Sequence, residues 1–355
     1  EASSHGLHQN RLDGLFFNSA IFTNLSQDHL DYHKNFKSYL NAKLYLFENL
    51  IKKKGFVITD EKIPEFKKIK NISFKKKLKL VTYENKNLQI ISHNYKNNFQ
   101  VLKIKHNNLI HDMRVNLVGK IQIKNILMAA IAASKSNLDL KKILSVIPKL
   151  SPVEGRFENI GKIKNKSLVF LDYAHTPDAL QTCLQNIKEQ FPNKYISVVF
   201  GCGGDRDKGK RSKMGKIADR YADKIYLTDD NPRQESPSKI RKDVKKGIKK
   251  DKIIEISNRK KAIAKAISNL KTGNVLIVAG KGHEKTQHVG NKKIFLSDRQ
   301  IILSLIKKKN LELSKNLKIN IINERFDQKI LPPKLIINKA VINSNTVKKN
   351  DIFFA

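Results

Sequence analysis

The sequence predicts an α/β chain whose second half is a Rossmann-like domain on a mainly parallel sheet. Three observations carry that expectation. Five apolar runs, at 168–171, 195–200, 224–228, 253–256 and 275–279, alternate with helical patterns of about 12–14 residues. Such alternation favours right-handed βαβ units over an antiparallel meander. Four of the runs are followed by unusual polar loops, Asp172-Tyr173-Ala174-His175-Thr176-Pro177, Phe200-Gly201-Cys202-Gly203-Gly204-Asp205-Arg206, Asp229-Asp230-Asn231-Pro232-Arg233 and Gly280-Lys281-Gly282-His283-Glu284. Ligands of open α/β sheets collect at strand carboxyl ends, so four such loops on one edge point to one binding site. Each loop alone is also ordinary turn chemistry, since Asn-Pro and Gly-rich pairs are common turn formers.

In the glycine loop, three glycines within four residues let backbone amides approach a ligand closely. Gly204 to Lys210 reads Gly-x-x-x-x-Gly-Lys, but Arg211 stands where a phosphate-binding P-loop needs a magnesium-binding hydroxyl. The loop is therefore a ligand loop of another kind, or structural punctuation.

Taken in order, residues 1–50 open with Glu1-Ala2-Ser3-Ser4-His5-Gly6-Leu7 and an apolar stretch at 20–25. Ser26-Gln27-Asp28-His29-Leu30-Asp31-Tyr32-His33 follows, and then an amphipathic helix over 36–50. His29 and His33 have zinc-protease spacing, but Leu30 replaces the glutamate such a motif needs. Residues 54–113, rich in Lys, Asn and β-branched side chains, predict short strands and loops. Helices are expected over 123–134, with Asn125 near the start, and over 139–147. Ser151-Pro152-Val153-Glu154-Gly155-Arg156-Phe157-Glu158 reads as a domain hinge, after which the period changes. Ser297 is the expected N-cap of a last helix ending about Lys308, and the stretch from Lys309 reads as a linker. The expected domains are thus 1–150, 151–309 and a tail, 310–355.

Composition bounds the function. A net charge of +38 points first to nucleic acid, yet only 11 of the 70 basic residues are Arg, and Lys is spread throughout the chain. That distribution marks compositional drift, and neither a zinc-finger spacing nor an RNA-binding aromatic signature is present. Two cysteines, Cys183 and Cys202, fit a reducing cytoplasm. No apolar run reaches the roughly 18 residues a membrane span needs. The chain starts at Glu1 without Met and stops within an apolar run, as expected of a piece of a longer polypeptide.

The blocks Glu1–Leu7, Thr23–His33, Asp172–Leu180, the glycine loop, Asp230–Arg233 and Gly280–Glu284 together closely resemble the Mur ligases, in particular the MurE type. That resemblance covers residues 1–308 in unbroken order. It implies ATP-dependent amide synthesis in the cytoplasm by a monomer, joining meso-diaminopimelate to UDP-N-acetylmuramoyl-L-alanyl-D-glutamate through an acyl phosphate. It implies Glu1 and His29 as magnesium ligands, with Lys43 carbamylated to give a third, anionic oxygen ligand. Ser3, Ser4 and Arg11 would hold the UDP-sugar peptide, and Asn125, Arg156, Asp172 and His175 would flank the nucleotide, Asp172 suited to ribose hydroxyls. Arg206, Asp230, Asn231, Arg233, Gly280 and Glu284 would form the diaminopimelate pocket, with Arg233 for the distal carboxylate and Glu284 for the distal ammonium. Read from spacing alone, Lys43 is a solvated helical lysine, Asp28-His29 a turn cap, and each charged pocket residue a surface salt bridge.

Two departures qualify the resemblance. The family's P-loop lies ahead of the first residue here, so this polypeptide alone is expected neither to hydrolyse ATP nor to ligate. The tail resembles the start of a second Mur ligase of MurF type, with Asn343-Ser344-Asn345 in place of the usual Asp-Ser-Arg. A folylpolyglutamate-type ligase shares the architecture, although the Asp230–Arg233 loop argues against it.

Overall fold

The computed structural model describes residues 1–85, 88–96, 99–325, 340–341 and 352–353. The first domain begins with helix α1 (Ser4–His8), strand β1 (Phe17–Phe22), the single turn α2 (Leu30–His33) and α3 (Phe36–Asn49). Asn35 starts α3 by accepting the Ser38 N–H, and Tyr39, Leu40, Leu44 and Phe47 bury its apolar stripe. Strands β2 (Ile51–Thr59) and β3 (Lys79–Thr82) join β1 in a parallel sheet of order β1-β2-β3.

Between β2 and β3 lies helix α4 (Phe66–Lys75), where the composition predicted only strands and loops. Its fully buried positions are only Ile69 and Ser73, four residues apart, with Ile72 partly buried beside them and four lysines and Phe74 exposed. So thin a stripe is hard to see in a lysine-rich stretch. An antiparallel sheet follows, made of β4 (Leu88–Lys96), β5 (Phe99–His106) and β6 (Leu109–Val115). Helices α5 (Lys120–Ser134) and α6 (Leu140–Val146) pack on it through Ile123, Leu127, Ile131 and Leu144.

The second domain carries a six-stranded sheet. Its strands are β7 (Glu158–Lys162), β8 (Leu168–Asp172), β9 (Ile196–Phe200), β10 (Lys224–Leu227), β11 (Ile253–Glu255) and β12 (Val275–Ala279). The order is β11-β10-β9-β12-β8-β7, parallel except for β7. Leu168 and Phe170 enter one core while Val169 and Leu171 enter the other, and β12 divides its residues the same way. Helices α7 (Pro177–Gln190), α8 (Lys210–Tyr221) and α9 (Pro237–Lys245) cover one face of the sheet. On the opposite face lie α10 (Arg259–Ser268) and α11 (Asp298–Arg325), preceded by the hairpin β13 (Thr286–Val289) and β14 (Lys292–Phe295).

Because β12 inserts between β9 and β8, the loops after β10, β9, β12 and β8 stand side by side at the carboxyl edge. This is the placement expected of a ligand crevice.

The stretch from Lys309 is not a linker at its start, since α11 continues to Arg325. Lys309 Nζ donates to the carbonyls of Ile267, Ser268 and Leu270, where α10 ends and leaves acceptors unpaired. Ser297 Oγ accepts the Gln300 N–H at 3.4 Å, in keeping with its expected capping role. Beyond α11 only the two-residue parallel pair β15 (Ala340–Val341) and β16 (Ile352–Phe353) is described. Asn343-Ser344-Asn345 lies outside the described residues, as does the stretch around Pro332-Pro333.

The domains share a polar seam. Gly119 at the start of α5 provides no capping side chain. Gln190 and Asn186 on α7 instead accept the Gly119 and Lys120 N–H groups at 3.2 and 2.9 Å.

Candidate active site

A cleft at the carboxyl edge of the six-stranded sheet is lined by Tyr173, His175, Gly201, Gly203, Arg206, Asp230, Asn231, Arg233, Gly280 and Glu284. The first domain closes it with Gln27, Asp28, His29 and Asp31. The six residues expected to form an amino-acid pocket are therefore together in one cavity.

Close backbone approach shapes this pocket. A Cβ on Gly204 would lie 1.9 Å from the Pro232 carbonyl oxygen, so only glycine lets the loops after β9 and β10 touch there. Arg233, at a left-handed φ of 50°, donates from Nη1 to the Gly204 carbonyl at 2.7 Å. Behind the loop, buried Arg211 pairs with Glu235 at 2.8 Å, and Glu235 also accepts the Asp205 N–H at 2.7 Å.

Arg211 holds the Glu235 carboxyl below its ordinary value, so the pair contributes stability above about pH 4.5 and loses it as acid protonates Glu235. Arg211→Met is expected to lower the melting temperature at neutral pH by roughly 5–10 °C, as for about 2–3 kcal/mol, and to flatten the loss on acidification. Melting curves from neutral pH to pH 3 check both effects.

Glu284 meets a partner that sequence reasoning missed. Lys281, fully buried, donates to Glu284 Oε2 at 2.8 Å, Asn231 Oδ1 at 3.0 Å and the Thr286 carbonyl at 2.7 Å. Asn231 Nδ2 donates to the same Glu284 oxygen at 3.0 Å. Burial raises the Glu284 carboxyl, but Lys281 and Asn231 more than offset it and hold it below the ordinary range. Glu284 is thus partly neutralised from within, and its Oε1 stands 3.5 Å from the Tyr173 hydroxyl.

Asp172 has partners within the fold: its two oxygens accept the Phe157 N–H at 2.7 Å and the Ala174 N–H at 2.8 Å, so the carboxylate also links hinge to loop. Arg156 lies over the Tyr173 ring at 4.3 Å, and His175 faces the Asp28 carboxylate at 3.4 Å. Asn125 is exposed on α5 and does not line the cleft. Ser3 caps α1 by accepting the Gly6 N–H, Ser4 is buried against His33 Nε2 at 3.0 Å, and Arg11 is exposed. His33 is stacked on Tyr39, with ring centroids 5.1 Å apart.

The expected magnesium set is divided between neighbouring cavities, with Glu1 and Lys43 in one and His29 in the other. Among the described residues no three His, Cys, Asp or Glu side chains gather closely enough to hold a metal. Burial lowers the Lys43 pKa against the opposing charges of Glu1 and Asp28. A lysine of reduced basicity is the one that reacts with carbon dioxide, and its carbamate would supply the missing oxygen donor. The residues fit magnesium on that condition.

The seam across the cleft is charged. Arg206 pairs with Asp31 at 2.7 Å, Gln27 donates to Asp207 at 2.7 Å, and Lys213 donates to Gln27 at 3.0 Å. One short segment of the first domain thus grips the glycine loop and α8.

A family model for the Mur ligase middle domain matches residues 1–133, and one for the Mur ligase glutamate ligase domain matches residues 155–282. The chain belongs to the Mur ligase family. It is 42% identical over 303 residues to the UDP-N-acetylmuramoyl-L-alanyl-D-glutamate--2,6-diaminopimelate ligase of Rickettsia bellii (strain RML369-C), covering 85% of this chain and 63% of that protein. It is 39% identical over 309 residues to the protein of the same name from Agrobacterium fabrum (strain C58 / ATCC 33970), covering 86% and 62%. This Mur ligase chain therefore spans less than two thirds of the length of those relatives.

A solved UDP-N-acetylmuramoyl-L-alanyl-D-glutamate--2,6-diaminopimelate ligase superposes with a TM-score of 0.57 at 33% identity, covering 87% of this chain and 64% of that one. The MurF ligase of Thermotoga maritima in complex with ADP gives 0.63 at 16% identity, covering 87% and 66%, a likeness of fold alone. The Mur ligase α/β fold expected from the sequence is borne out. Among the described residues no helix is long and apolar enough to cross a membrane.

Proposed function

We propose that this Mur ligase chain carries the amino-acid site of an ATP-dependent amide ligase that adds meso-diaminopimelate to UDP-N-acetylmuramoyl-L-alanyl-D-glutamate in the cytoplasm. The observation that carries the reading is the charge pattern of one cleft, where the guanidinium of Arg233 stands with the carboxylates of Asp230 and Glu284. Diaminopimelate has two carboxylates and two ammonium groups, so it calls for a planar fork at one end and acids for its amines. The names of the relatives support the same choice.

ATP, when bound, would supply the phosphoryl group that makes the substrate carboxylate electrophilic, and magnesium would offset the phosphate charge. Glu1, His29 and Lys43 would hold the magnesium. The chain's own work is to orient the attacking amine: Arg233 is anchored on the Gly204 carbonyl, and Asn231 and Lys281 fix Glu284. Asp31 and Gln27 of the first domain hold its segment 27–31 against that pocket.

Calorimetric titration of meso-diaminopimelate and of L-lysine into the full chain, with and without an ATP analogue, tests the reading. The expected result is binding of diaminopimelate at least about tenfold tighter than lysine, lost in Arg233→Ala. Absence of binding by either amino acid in every condition overturns it.

A further inference from the structure

We infer that Arg259, which lies behind the pocket and touches no expected ligand, is a positioning residue that sets Asp230 for amino-acid binding. The inference rests on the amino-acid reading of the cleft and deepens it.

Arg259 is the first residue of α10, and its side chain is completely buried. Its Nε donates to both oxygens of Asp298, at 2.9 and 3.1 Å. Its Nη2 donates to Asp298 Oδ2 at 2.7 Å and to the carbonyl of Ala279, the last residue of β12, at 2.8 Å. One guanidinium thus ties the start of α11, the end of β12 and the start of α10.

Its remaining nitrogen is the informative one. Among the described residues, buried Nη1 has no hydrogen-bond partner, and neither has buried Oδ2 of Asp230. These two atoms of opposite charge stand 3.9 Å apart. Two unmade buried hydrogen-bonding positions are costly in isolation, and their mutual approach is what makes them tolerable. Asp230 Oδ1 is committed to the Asn231 N–H at 2.7 Å, so rotation of the carboxylate is restricted at that oxygen and opposed by Arg259 at the other.

Chemistry gives the arrangement its direction. Asp298 alone neutralises Arg259 through a bidentate pair, so Asp230 adds a net negative charge at the cleft wall. An incoming ammonium finds a carboxylate whose position is fixed from behind by a charge it cannot displace. Arg206 and Arg233 supply the opposite sign for the carboxylates of the same ligand.

Titrating meso-diaminopimelate into the full chain and four variants tests this. Arg259→Met is made together with Asp298→Asn so that no unpaired charge is left in the core. That pair of changes is expected to weaken binding by roughly tenfold or more, whereas Arg259→Lys, which keeps the charge but loses the bidentate fork, is expected to fall between that variant and the unaltered chain. Asp230→Asn is expected to weaken binding at least as much, and combining it with the Arg259/Asp298 changes adds less than about twofold, because Arg259 acts through Asp230. Independent effects that multiply in the combined variant overturn the inference, as does Arg259→Lys falling as far as the Met variant. So does unchanged affinity in the Arg259→Met/Asp298→Asn protein. Those outcomes leave the function standing, because the unaltered chain still binds. Failure of the unaltered chain to bind overturns the functional reading and this inference with it.

Discussion

Gly155→Ala is expected to disable the pocket from a position outside it. Gly155 sits in the hinge at a φ of +68°, and a Cβ there would lie 2.2 Å from the His283 backbone nitrogen and 2.4 Å from the Gly282 carbonyl carbon. Both contacts are backbone in the loop that carries Lys281 and Glu284, so no side chain can swing aside. A left-handed conformation costs a non-glycine residue about 1–2 kcal/mol, and forced overpacking adds about 1–3 kcal/mol. The sum, roughly 2–5 kcal/mol, is large against the stability of a domain.

Gly14→Ala supplies the control. Its φ is +86°, and nothing lies within 4 Å of the added Cβ, so it carries the conformational cost alone. Gly155→Ala should melt well below Gly14→Ala and bind meso-diaminopimelate at least about tenfold more weakly than it. Equal melting temperatures and equal affinities would show that the hinge and the Gly280–Glu284 loop yield without cost.

That coupling between distant residues marks the limit of what the sequence discloses. The parallel sheet was legible because each strand is apolar on both faces and each connection is a helix, and the five expected strands match within a residue or so. The pocket was legible because carboxyl-edge loops advertise themselves by composition, as in Asp230-Asn231-Pro232-Arg233. Helix α4 was hidden by its lysines, and the extension of α11 by the same bias.

What hid most deeply were the partners of the site residues. Arg259 and Asp298 are 39 positions apart and look like a helical arginine and a helix-start aspartate until the fold joins them. Lys281 reads as a loop lysine, whereas it is buried beneath the pocket it supports. Asp172, expected to face ribose hydroxyls, also accepts the Phe157 and Ala174 N–H groups, the first of them fifteen positions away and invisible to spacing. A charged residue's free valence depends on three-dimensional neighbours, and spacing records none of them.

Lys281→Met is the second change with a large expected effect, and the direction in which its pH dependence shifts makes it decisive. The substitution strands Glu284 without its cation and leaves the Thr286 carbonyl without the ammonium donor. Breaking a buried ion pair costs about 3–5 kcal/mol, and the partial exposure of Glu284 places this case near the lower end. In the unaltered chain Glu284 is held below its ordinary pKa of 4.5, so it stabilises the fold above that pH and the contribution is lost as pH falls. Without Lys281 the burial remains while that lysine's lowering effect is lost, so the carboxyl rises relative to the unaltered chain. Ionised Glu284 then stabilises the fold less or opposes it, and from neutral pH toward 4.5 the variant should lose less stability, or gain more, than the unaltered chain. Adding Glu284→Gln should restore much of the melting temperature at neutral pH without restoring diaminopimelate binding, because the acid expected to meet the distal ammonium is gone. A single variant that melted like the unaltered chain, or a double variant that bound the amino acid normally, would remove Lys281 and Glu284 from the machinery of the pocket.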